Sequence, residues 1–148
     1  MQAFTSNTAQ GCEVTGASKK MTSYRTWLFS GGWPRFEGWP AKNVHTDLAS
    51  AQKGGLPTRA ASGAMMQGYL CELMIGVFGE SWVNGGRLTL KFIRIVDVGD
   101  EIVSKCRVSS KESDGTSTRF DLDVWCENQH GAQVVIGTGT GWVVDSQP

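Results

Sequence analysis

The sequence predicts an α+β domain in which a curved antiparallel sheet of five or six strands wraps around one long central helix. Two patterns carry that expectation. From Ser62 to about Phe78, the residues Met65, Met66, Tyr69, Leu70, Leu73, Met74, Val77 and Phe78 recur at the three- and four-residue spacing of an α-helix. After Gly85-Gly86 the period drops to two and persists through stretches separated by turn residues, as antiparallel strands joined by short connections require. A helix long enough to lie across such a meander hides its apolar face most simply against the inner faces of the strands.

The N-terminal residues 1–20 are rich in Ser, Thr, Gly and Ala and carry no periodicity, so a flexible tail is expected, with Met21 a second candidate start and 21–148 as the single domain. Tyr24 to Phe29 is short, aromatic and strand-like. Gly31, Gly32, Pro34, Gly38 and Pro40 then preclude regular structure, and Trp33, Phe36 and Trp39 are expected to pack this loop onto the domain. Asp47 to Gln52 reads as a short helix with Thr46 or Asp47 at its N-cap and Gly54-Gly55 as its stop. Leu56 to Ala61, with Pro57, is an extended connector.

Ser62 is placed to cap the long helix and Gly79 to end it. Its second face holds Ala64, Gly68, Cys71 and Gly76, small residues that would let a neighbouring backbone approach, which predicts a central rather than a surface helix. Beyond it, Leu88, Leu90 and Phe92 alternate with Thr89, Lys91 and Ile93. Val98-Gly99-Asp100 makes a turn into a strand over Glu101–Ser109, and Asp114-Gly115 is a hairpin signal. Phe120, Leu122, Val124 and Cys126 then alternate with Arg119, Asp121, Asp123 and Trp125. The last strand, Ala132 to Val144, carries Gly137, Gly139 and Gly141 on one face. Those glycines leave a trough for a helix or strand, or else a flat edge at a dimer seam.

Fourteen basic residues balance fourteen acidic ones, so nothing marks a nucleic-acid or anionic-membrane partner. Four cysteines with no CxxC pair and two histidines remote from them give no metal site, and buried free thiols are the expectation. The start of the chain has no apolar signal-like run, and the apolar stretch Met65–Phe78 is too short for a bilayer span; a cytoplasmic location is the default expectation.

With these elements in order, the chain resembles the MaoC-like, or R-specific enoyl-CoA hydratase, branch of the hot-dog superfamily. The resemblance rests on Asn43-Val44-His45-Thr46-Asp47, Ala51 to Gly55, Ala61-Ser62-Gly63-Ala64-Met65 and Val98-Gly99-Asp100, and it covers Asn43 to Val144, about two thirds of the chain. It implies a hot-dog fold and a homodimer, or a larger assembly such as a dimer of dimers or hexamer, with sheets joined edge to edge. It implies a substrate carried as an acyl-CoA or acyl-carrier thioester, with no bound cofactor and no metal. The activity implied is that of a lyase: addition of water to a trans-2-enoyl thioester, or the reverse dehydration. The family's aspartate stands five residues before its histidine, where this chain has Pro40; Glu37 is the nearest upstream acid.

Such chemistry needs a proton acceptor and a donor toward the thioester oxygen. His45 suits the first role, with Asp47 as its companion in catalysis. Gly63, with Ser62 and Asn43, is assigned to substrate binding. Glu72, inside an apolar helix, and Glu37, in the aromatic loop, are the alternative acids. Two other readings stand beside hydration: a thioesterase using Glu72, and a non-catalytic domain that binds acyl groups or other small ligands, for which Pro40 is the motivation.

Overall fold

Alternating burial organises the sheet. In the computed structural model, which describes residues 3–144, three long strands form its centre: β4 (Glu101–Ser113), β5 (Ser117–Asn128) and β6 (Gln133–Val144). β5 turns Thr118, Phe120, Leu122, Val124 and Cys126 inward, and β4 adds Ile102, Ser104, Cys106 and Val108. Against this face lies the long helix Gly63–Phe78, whose Met65, Met66, Leu70, Leu73, Met74, Val77 and Phe78 are buried. The remaining elements are β1 (Glu13–Thr15), β2 (Lys19–Lys20), α1 (Ser23–Ser30), α2 (Leu48–Lys53), α4 (Glu80–Gly85) and β3 (Arg87–Phe92), which makes the long helix α3. The six-stranded sheet is antiparallel throughout, in the order β1-β4-β5-β6-β3, with β2 also on the outer side of β4. A bulge between Val108 and Ser110 bends β4.

The three glycines of β6 serve close approach. A Cβ on Gly141 would stand 2.6 Å from the ring of Phe78, and one on Gly137 would fall on the β3 backbone at Thr89. β6 lies between β5 and β3, so the dimer-seam alternative for these glycines does not hold.

Several expectations are corrected. The segment read as a flexible tail is folded: Phe4 is buried among Phe78 and Phe120, its N–H donates to the Val77 carbonyl, and β1 and β2 pair with β4. Tyr24–Phe29 is a helix, because the Thr22 hydroxyl accepts from the Arg25 N–H and closes a first turn that outweighs the β-propensity of the aromatics. Trp39 does pack, edge-on to Tyr24 and Trp27, but Trp33 and Phe36 are exposed, at 62% and 72%. α3 is buried on one side only; Ala64, Gly68, Glu72 and Gly76 face outward. The strand expected to end at Ser109 runs on to Ser113, and α4, which stacks Trp82 on Phe78, was not anticipated. No helix among the described residues is long and apolar enough to cross a membrane.

Candidate active site

His45 sits on the segment between α1 and α2, and that segment is braced from several directions. The buried Thr46 hydroxyl donates to the Ala41 carbonyl at 2.6 Å and accepts from the Asn43 N–H at 3.0 Å. The Trp27 indole N–H, from α1, donates to the Thr46 carbonyl at 3.2 Å. Asn43 donates through Nδ2 to the Ser30 carbonyl at 2.7 Å and accepts the His45 N–H on Oδ1 at 2.9 Å. The polar atoms of Asn43 are thus engaged in holding the loop, and the structure does not present them to a ligand as the sequence reading expected.

The His45 ring is half-buried, with Nδ1 2.8 Å from the Ala60 carbonyl oxygen. A carbonyl only accepts, so Nδ1 carries the proton. In the neutral ring Nε2 then holds the lone pair. That is the tautomer a proton acceptor needs, set by a backbone group that no side-chain pattern reveals. Ala60 is itself fixed: its N–H donates to the Val44 carbonyl, it bridges Asp97, and the next N–H, of Ala61, reaches Val96. Burial, and then the neighbouring Asp100, raise the Asp97 carboxyl above its ordinary pKa.

Asp47 is directed elsewhere. Its Oδ2 accepts from both the N–H and the hydroxyl of Ser50, at 2.8 and 2.9 Å, which caps α2 and lowers the carboxyl pKa. It makes no hydrogen bond to the imidazole. Glu37 is exposed in the loop, without a hydrogen bond to any described residue. Glu72 stands on the open side of α3, where both its oxygens lie 2.9 Å from Lys19 Nζ. The helical position that looked anomalous for a carboxylate is therefore a paired, outward-facing one.

The start of α3 is the second half of the site. Ser62 occupies the N-cap position but its hydroxyl makes no capping bond, and among the described residues no acceptor takes the Gly63 or Ala64 N–H. Free amides at a helix start carry the positive end of its dipole. Gly63 has a steric reason as well, since an added Cβ would meet the Phe92 ring at 3.1 Å. Phe92 thus closes the side of Gly63 where a side chain would stand. Gly63 stands three positions after Ala60, which accepts from the imidazole, a span of at most about 11 Å.

The fold recurs in solved structures. A MaoC-like dehydratase from Rhodospirillum rubrum superposes with a TM-score of 0.76 at 16% identity, covering 96% of this chain and 97% of that one. The R-hydratase PhaJ1 from Pseudomonas aeruginosa gives 0.71 at 21%, covering 95% and 84%. The (R)-hydratase from A. caviae involved in PHA biosynthesis gives 0.66 at 21%, covering 95% and 99%. The chain has the hot-dog fold. At these identities the similarity speaks for the fold alone. No family model matches the sequence, and no curated protein matches it. Within the hot-dog frame, α3 is the central helix, and His45 is tied through the Ala60 carbonyl to the connector that leads into it.

Proposed function

We propose that this hot-dog protein belongs to the MaoC-like branch and is a lyase that hydrates trans-2-enoyl thioesters, or dehydrates the corresponding 3-hydroxyacyl thioesters, with the acyl group carried on CoA or a carrier protein. The single observation that carries the reading is the Nδ1–H bond from His45 to Ala60, which leaves Nε2 of the neutral ring with its lone pair free to accept a proton. In hydration, Nε2 takes a proton from water as the water oxygen bonds to the β-carbon. The π electrons shift to the α-carbon and the thioester oxygen, whose charge the Gly63 and Ala64 N–H groups stabilise. The proton on Nε2 then passes to the α-carbon, which restores the ring and completes the addition. One imidazole acts first as base and then as acid, so the absence of an aspartate at Pro40 does not stop the cycle. Ser62, with its hydroxyl free of a capping bond, is available to the substrate.

Substrate-level assembly follows the same reading. β1 and β2 cover the outer edge of β4, whereas β3 leaves the opposite edge of the sheet open beside the half-exposed Phe92. A second copy paired along β3 gives the homodimer in which such a cleft is shared.

His45→Ala is the direct test. Loss of the enoyl absorbance of crotonyl-CoA should slow by about 10²–10⁴-fold in the variant, the range for removing a general acid–base. Unchanged hydration would refute the role of His45. Release of free thiol instead of hydration would establish a thioesterase, and acyl-CoA binding without turnover a ligand-binding domain.

A further inference from the structure

The chain is neutral overall, but its charge is unevenly spread. Between Tyr24 and Arg59, five basic residues (Arg25, Arg35, Lys42, Lys53 and Arg59) stand against two carboxylates, Glu37 and Asp47, a net +3 balanced by −3 over the rest of the chain. The ion pairs among the described residues all lie outside this stretch, on Lys19, Lys105, Arg107 and Arg119. Asp47 is committed to Ser50, and Arg25, Arg35, Lys42 and Lys53 are exposed. The same stretch carries Tyr24, Leu28, Phe29, Trp33, Phe36 and Leu48, six of the twelve large hydrophobics that stand exposed among the described residues. One lobe holds them. The loop after α1 closes on itself through the Ala41 N–H to the Gly31 carbonyl, Trp39 packs edge-on to Tyr24 and Trp27, and Arg59 reaches Ser23 at the start of α1. On α1, Arg25, Leu28 and Phe29 are three and four residues apart and share a face. His45 belongs to the same lobe, through the Trp27 bond to the Thr46 carbonyl.

Single exposed apolar residues are ordinary, but aromatics and arginines gathered on one surface have the composition of a protein–protein interface. The unpaired cations select an acidic partner. We propose that α1 and the loop that follows it dock an acidic carrier protein, which brings the acyl thioester to His45 on its phosphopantetheine arm, so that a carrier and not CoA is the preferred handle. The assignment rests on the hydratase reading given above. The nucleotide of CoA is held by a few donors that converge in a cleft. Here the cations sit on four separate elements, α1, the loop, α2 and the connector, and Trp33 and Phe36 project outward. A second copy meeting this lobe with its own lobe would set like charges face to face, which opposes association.

Arg25→Glu together with Arg35→Glu reverses two exposed charges, and Trp33→Ala removes an exposed ring; none of the three touches the core. Calorimetric titration with an acidic acyl carrier protein bearing its phosphopantetheine arm reads docking without turnover. Wild type should bind, more weakly as salt is raised, and the double variant and W33A should each bind about tenfold or more weakly. With crotonyl-loaded carrier, kcat/KM of the double variant should fall about tenfold, while crotonyl-CoA stays within about twofold of wild type. If wild type hydrates neither thioester, the hydratase reading fails and the titration alone judges the docking surface. No binding of the carrier by wild type, or wild-type affinity in the double variant, overturns the surface even if crotonyl-CoA is hydrated. An equal loss on crotonyl-CoA also overturns it, by giving the arginines to the nucleotide. Binding to phosphatidylserine vesicles without affinity for the carrier would make the lobe a membrane contact, and a change in sedimentation of W33A without such affinity a subunit contact; either overturns the proposal.

Discussion

Phe4→Ala tests whether the first twenty residues belong to the folded unit. Phe4 is 6% exposed, with its ring 5.3 Å from Phe78 at right angles and 5.4 Å from Phe120. Both partners are themselves core, Phe120 fully buried and Phe78 stacked on Trp82. Removing a buried phenylalanine costs about 3–5 kcal/mol, and the low end applies where a cavity near a chain end can partly collapse. At about 3 kcal/mol, a domain of this size loses about 6–12 °C in melting temperature. Thermal unfolding followed by far-UV circular dichroism, together with urea titration, measures it. A further consequence separates global from local loss. If residues 3–20 merely rested on a core complete without them, the variant would melt within about 2 °C of wild type while the segment became open to protease. That pair of results would refute the reasoning and restore the tail.

Other outcomes follow from single contacts. Gly141→Val should cost about 1–3 kcal/mol in urea titration, because its side chain meets a Phe78 ring wedged between Phe4 and Trp82; Gly139→Ala, whose Cβ finds ordinary contacts at 3.4 Å, should be neutral or slightly stabilising. Burial pushes the Cys106 and Cys126 thiols up to about 12, so a thiol reagent near pH 8 should leave these two unlabelled until the protein unfolds and reach the partly exposed Cys12 and Cys71 first. The Thr116 and Ser117 N–H groups hold Asp114 down at about 2, against an ordinary 3.8. A depressed carboxyl contributes stability that is complete above the unfolded value and disappears as pH falls through the folded one. Asp114→Asn should therefore flatten the stability curve between about pH 4 and pH 2 and leave its slope near neutrality unchanged, as acid titration of the melting temperature would record.

What could be read in the sequence depended on how many residues share one buried face. α3 and the strands β4 to β6 place long runs against the same core, so their periods are plain, and Asp47 advertises α2 through cap chemistry. β1 and β2 hold three and two residues and attach to β4 mainly through backbone bonds, which leave no side-chain pattern. In α1 the apolar residues Tyr24, Leu28 and Phe29 face outward and only Thr26 is fully buried, so hydrophobic spacing there reports an exposed face and not the core. For the site, His45 stood out through the resemblance of its surroundings. Its partner is a main-chain carbonyl, and nothing about Ala60 as a residue type announces that.

The connector from Leu56 to Ala61 links the two halves of the proposed chemistry and fixes their relation. On one side it is tied to the segment between α1 and α2 by the Ala60 N–H to Val44 and by the imidazole itself. On the other, Ala61 bonds Val96 and Arg59 accepts the Val98 N–H, which anchors it to the chain just before β4. Arg59 adds a side-chain bond to Ser23 at the start of α1. For His45 to move away from the start of α3, these bonds would have to break together. Under the proposed function, a base and a pair of amide donors held through one shared connector would be positioned before any substrate arrives, and such preorganisation is what lets donors stabilise charge without reorganising as the reaction proceeds. In that proposal a lone imidazole would suffice, because its tautomer and orientation come from Ala60, the work that a carboxylate partner would otherwise do.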